Sequence, residues 1–119
     1  MSYVDAERHV RGESLFIDDL PVPEGTLHAH VCASEVAHGA LISIDAEAAR
    51  GMTGVVAVLT AADIPGENEI GTMVADEPLL AEGSVHYIGQ PVALVIAADA
   101  ATARAAAAGS SSGPSRCPW

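Results

Sequence analysis

Aromatic residues are scarce in this chain. Tyr3, Phe16, Tyr87 and Trp119 are the whole set, 3% of 119 residues, so a core must be assembled from Ala, Val, Leu and Ile. Such side chains bury less area than rings do, and the isolated chain is expected to be marginally stable. Positive charge is scarce too. Five Lys plus Arg stand against 16 Asp plus Glu, a formal net charge of -11, and a field of that sign repels phosphate backbones and anionic lipid surfaces. That argues against nucleic acid and membranes as partners. Only two cysteines are present, Cys32 and Cys117, and without a Cys-x-x-Cys spacing neither a redox pair nor a zinc knuckle is indicated. Long apolar runs are missing as well. Residues 1–20 mix charges with isolated apolar side chains and hold no stretch of signal-peptide length. The runs 54–59 and 91–98 are too short to span a bilayer as helices. A soluble, cytoplasmic protein is the expectation.

What is present is a chain half apolar, of a length that suits one domain. Pro21 and Pro23 disfavour helix around them, so residues 11–24 read as an extended entry segment. Over residues 26–33 apolar side chains alternate, with Leu27, Ala29, Val31 and Ala33 on one face and Thr26, His28, His30 and Cys32 on the other. This period of two predicts a half-buried strand whose histidine face is solvated. Asp45 is placed to cap a short helix over 46–52, ended by Gly51 or Gly54. Residues 55–59 are apolar throughout, as in a strand covered on both faces. Thr60 to Asp63 fits a capping box, which Pro65 and Gly66 limit to one helical turn. The runs 85–88 and 92–97 read as strand segments joined by a bend at Gly89-Gln90-Pro91. Asp99 is placed to cap a second helix over 100–108. The predicted fold class is α/β, or α+β: a small sandwich with a mixed sheet and two short helices. Residues 1–108 form this domain. Residues 109–119, rich in Gly, Ser and Pro, read as a disordered or aberrant tail.

Local chemistry is thin. His28 and His30, with His38 or Glu35 as a third donor, have the spacing for a metal, but two histidines on a strand face form no closed ligand set. Asp18-Asp19 and Asp76-Glu77 are paired carboxylates, yet adjacent side chains seldom enter one cleft, and both pairs adjoin proline-bearing turns. Gly66 to Gly71-Thr72 imitates a phosphate loop with Thr72 where the lysine belongs. Gly12-Glu13-Ser14 lacks the second glycine of a nucleophile elbow, at Phe16. The expectation is no catalytic, cofactor-binding or metal-ligating residue in this chain.

Three phrases remain: Asp63-Ile64-Pro65-Gly66-Glu67-Asn68, Asp76-Glu77-Pro78-Leu79-Leu80 and Tyr87-Ile88-Gly89-Gln90-Pro91-Val92-Ala93. With Phe16-Ile17-Asp18-Asp19-Leu20-Pro21, Leu27-His28-Ala29, Ala37-His38-Gly39 and 54–59, they resemble, in order and spacing, the xanthine dehydrogenase and aldehyde oxidase family. The matching part is the α/β hammerhead domain that opens the molybdopterin-binding large subunit. The resemblance covers about a hundred residues and implies a parent oxidoreductase, a molybdenum hydroxylase that uses molybdopterin to hydroxylate a purine or aldehyde with oxygen from water. Electrons would pass through iron-sulfur clusters to FAD elsewhere in the complex. It also implies that this segment is structural, that its partners are the remaining domains of the large subunit and the iron-sulfur/FAD subunit, and that the chain alone is inactive. Gln90 is explained by the bend and not by a cofactor contact. In the family the last helix runs on into another strand, so the resemblance further implies a domain incomplete at its C-terminal end, a truncated or frame-shifted product. The competing reading is a standalone acidic adaptor or assembly module that reuses the fold.

Overall fold

The computed structural model describes residues 5–109. Its elements are α1 (Ala6–Arg11), β1 (His28–Ala33), β2 (Gly39–Ala40), α2 (Ala46–Arg50), β3 (Val55–Leu59), β4 (Ser84–Val85), β5 (Pro91–Ala97) and α3 (Ala100–Gly109). Single 3-10 turns lie at Ile17–Asp19 and Ala61–Asp63. The tail expected over 109–119 falls, from residue 110 on, outside the described residues.

β5 is the axis. It runs antiparallel between β1 and β3, with His30 and Val58 both opposite Val95, while β2 and β4 form a separate antiparallel pair. A strand bonded on both edges is the place for the fully apolar run Pro91 to Ala97, and four of its seven residues are buried. Every described pairing is antiparallel, where a mixed sheet was expected.

α2 and α3 are the two expected helices, and their caps are the expected aspartates. Asp45 Oδ1 accepts from Ala48 N at 3.0 Å, and Asp99 Oδ1 accepts from Thr102 N at 2.8 Å. α1 is a third helix, in a stretch read without one. It buries no residue, and its exposed turn is held by the Glu7–Arg11 ion pair at 2.6 Å and ended by Gly12 at φ 70°.

α3 lies on one face of the sheet through Ala103, Ala106 and Ala107, a stripe spaced three and one apart that small side chains let sit close. Ala106 and Ala107 form the main core with Cys32, Ala49, Val58, Ala93 and Val95; Ala81, Val85 and Val92 form a second, at the β2–β4 end. Neither aromatic side chain among the described residues is buried: Phe16 is 68% exposed and Tyr87 46%. The Cα radius of gyration is 18.8 Å, against about 13.5 Å for a compact chain of this length. Much of the chain therefore lies outside the packed core.

Two strand expectations are corrected. On β1 the covered side chains are His28, His30 and Cys32, while Ala29, Val31 and Ala33 are exposed. The histidine face is the one under α3, because Cys32 stands opposite Ala93 and its Sγ reaches Ala107 O at 3.7 Å. β3, read as covered on both faces, is an edge strand that exposes Val56 and Leu59. The strand expected over 85–88 stops at Val85, where the chain turns. Gly54 joins α2 to β3 at φ 93°, and a Cβ there would press on Thr102 Cγ2 at 3.2 Å, so only glycine serves.

Candidate functional site

The residues most committed to a specific geometry lie around the bend before β5. Gln90 is the largest fully buried side chain, 2% exposed, and its Oε1 accepts from His86 N at 2.7 Å. Its own backbone N–H donates to Tyr87 O, and its carbonyl accepts from Ser34 N at 2.9 Å. Gly89 N donates to Ser34 O at 2.8 Å. These bonds lock the 86–90 turn onto the end of β1. The sequence marks the bend through Gly89 and Pro91 but gives no sign of the buried amide bond.

The loop 66–81 is built in the same manner. Asn68 faces Leu80 as a strand residue would: its Nδ2 donates to Leu80 O at 2.7 Å and its Oδ1 accepts from Leu80 N at 2.9 Å. Glu69 Oε1 gathers Gly71 N at 2.7 Å and Glu77 N at 3.0 Å. A Cβ on Gly71 would overlap Val74 O. Gly71 thus serves a close backbone crossing, and no phosphate cradle is formed.

The carboxylates placed by the sequence at turns act on backbone. Asp19 Oδ2 accepts from Phe16 N at 3.0 Å, and Asp63 Oδ2 accepts from Thr60 N at 2.8 Å and Thr60 Oγ1 at 2.9 Å. Hydrogen bonds from the Thr60 backbone and hydroxyl hold Asp63 below the ordinary carboxylate value of 3.8. The Thr102 hydroxyl, then its N–H, do the same for Asp99, helped by nearby His28. His28 sits half-buried at the start of β1. His30 lines an open cleft of about 570 Å³ with Cys32, Glu35, Ile88 and Arg104, whereas His38 packs against His86. Among the described residues no three His, Cys, Asp or Glu side chains converge as metal ligands. Cys117 lies outside those residues.

A three-stranded antiparallel sheet with helices on one face, extended by a two-stranded pair and a pinned loop, defines a small α/β domain of the hammerhead kind. Residues 11–109 match the family model described as aldehyde oxidase and xanthine dehydrogenase, a/b hammerhead domain. The chain belongs to that family of molybdenum hydroxylases. It is 42% identical over 105 residues to xanthine dehydrogenase 1 of Arabidopsis thaliana, covering 88% of this chain and 8% of that protein. To the nicotinate dehydrogenase large molybdopterin subunit of Eubacterium barkeri it is 38% identical over 94 residues, 79% of this chain and 22% of that one. The solved aldehyde oxidoreductase of Desulfovibrio gigas superposes with a TM-score of 0.78 at 34% identity, over 89% of this chain and 13% of that structure. The chain thus spans a small part of the relatives it matches. No helix among the described residues is long and apolar enough to cross a membrane.

Proposed function

We propose that this chain is a structural, non-catalytic module of a molybdenum hydroxylase large subunit, a scaffold whose reacting centre lies in other domains. The carrying observation is apolar surface left without cover. On the sheet face turned from α3, Val31 is 46% exposed beside Ala29 and Leu59, and in the N-terminal arm Phe16 and Ile17 are exposed. Groups of this kind on one module are characteristic of surfaces buried in a larger assembly. The occupants in this reading are the remaining domains of the large subunit and an iron-sulfur/FAD subunit.

Molybdopterin, iron-sulfur clusters and FAD belong to the parent, which would hydroxylate a purine or aldehyde in the cytoplasm. The described residues do not fit the anionic pterin. Gln90 is spent on His86 N, Gly71 is filled by Val74 O, and the turn carboxylates repel a phosphate. No step of the reaction is therefore assigned to this chain.

Co-expression with a relative's large subunit lacking its own matching segment tests the reading. The 119-residue chain is expected to co-purify and restore xanthine-dependent dye reduction, and a Val31→Asp, Leu59→Asp variant to lose both while keeping its circular dichroism. Equal behaviour of the two chains would count against the sheet face as the contact.

A further inference from the structure

Among the described residues, two imidazoles stand together beyond the bonds that pin the turn. The β2–β4 register sets Gly39 opposite Val85 and Ala40 opposite Ser84, so the next position outward faces His38 with His86. Their ring centres are 5.5 Å apart, tilted by 49°. We propose that His38 and His86 form a two-imidazole site for a borderline divalent cation, Zn²⁺ or Ni²⁺, that staples β2 to β4.

The separation of the ring centres is close to that of two ligands on one ion. A metal–nitrogen bond of about 2.1 Å sets the ion about 3.2 Å from each ring centre, so two imidazoles at a tetrahedral angle have centres about 5.2 Å apart. A ligating histidine is typically oriented by an oxygen on its other ring nitrogen, and Ser84 Oγ lies 3.1 Å from His86 Nε2. In the tautomer protonated at Nε2, that N–H donates to Ser84 and leaves Nδ1 as the metal donor. Imidazole pairs suit Zn²⁺, Ni²⁺ and Cu²⁺ over Mg²⁺ or Ca²⁺, and the net charge of -11 favours any cation. Only two protein donors are supplied, so water completes the shell and the affinity is modest. The staple would act where the ladder is shortest, since β2 and β4 have two residues each.

The test is a Ni²⁺ titration of the full chain in a Cys117→Ser background, followed by thermal unfolding. A saturable rise in Tm is expected, with the apparent Kd raised at least about tenfold in His38→Ala and in His86→Ala but unchanged in His30→Ala. No saturation below about 1 mM, or an unchanged Kd in both histidine variants, overturns the proposal. Should either variant fail to fold, histidine ring NMR signals of the unsubstituted pair decide. Sub-stoichiometric Cu²⁺ should broaden His38 and His86 ahead of His9, His28 and His30, and broadening led by any of the latter three contradicts the site.

Discussion

At the residue scale, polar side chains in this domain shape backbone. Gln90→Ala removes the acceptor of His86 N within a buried turn and is expected to cost about 1–3 kcal/mol, the range for orphaning a buried donor. Urea unfolding measures it, and an unchanged midpoint would show that water replaces the amide. The caps add an acid-side dependence. Asp63 and Asp99 have native pKa values below the ordinary 3.8, so each stabilises the fold above that value and the contribution is lost as pH falls through the lowered one. Asp99→Asn, which still accepts from Thr102 N but carries no charge, should lose that contribution at neutral pH and flatten the decline below pH 3.8. Acid titration followed by circular dichroism reads the slope. The caps Asp45 and Asp99 were legible because a cap is a local pattern. The bond of Gln90 was not, since it depends on how 86–90 turns against Ser34.

At the element scale, the contact of α3 with the sheet rests on alanine. Ala106 is fully buried, and Ala106→Leu should force the helix away at a cost of about 1–3 kcal/mol. Calorimetry checks this; a neutral result would mean that the interface is loose. Gly71→Ala should open the loop 66–81 by displacing Val74 O, seen as faster amide exchange at Glu77 and Leu80, and unchanged exchange would refute the close crossing. The existence of β1, β3 and β5 was plain from alternating or apolar runs, with 55–59 and the last strand placed almost to the residue, whereas the two-residue β2 gave no such signal. Their exposure was not. On β1 one set of alternating positions carries histidines and the other carries alanine and valine, so hydropathy points to the wrong face. A helix of small residues over Cys32 reverses the outcome, and that is a tertiary fact. β3 looked doubly covered because Val56 and Leu59 are apolar, a property that serves an interface to another domain as well as a core.

At the scale of the whole molecule, the core is small and the uncovered apolar surface is large for its size. The isolated chain should bind a hydrophobic dye and self-associate at high concentration, and Val31→Asp should reduce both by light scattering and dye fluorescence. A monomer indifferent to dye would mean that the exposed side chains pack in solution in some other way. The family was legible because its turn phrases recur in order, while the extent of open surface required the fold.

The most direct measurement is the molybdenum content and turnover of the purified chain. The account predicts no molybdenum above background by elemental analysis and no xanthine-dependent dye reduction. Stoichiometric molybdenum, or turnover by the chain alone, would contradict a scaffold whose chemistry resides elsewhere.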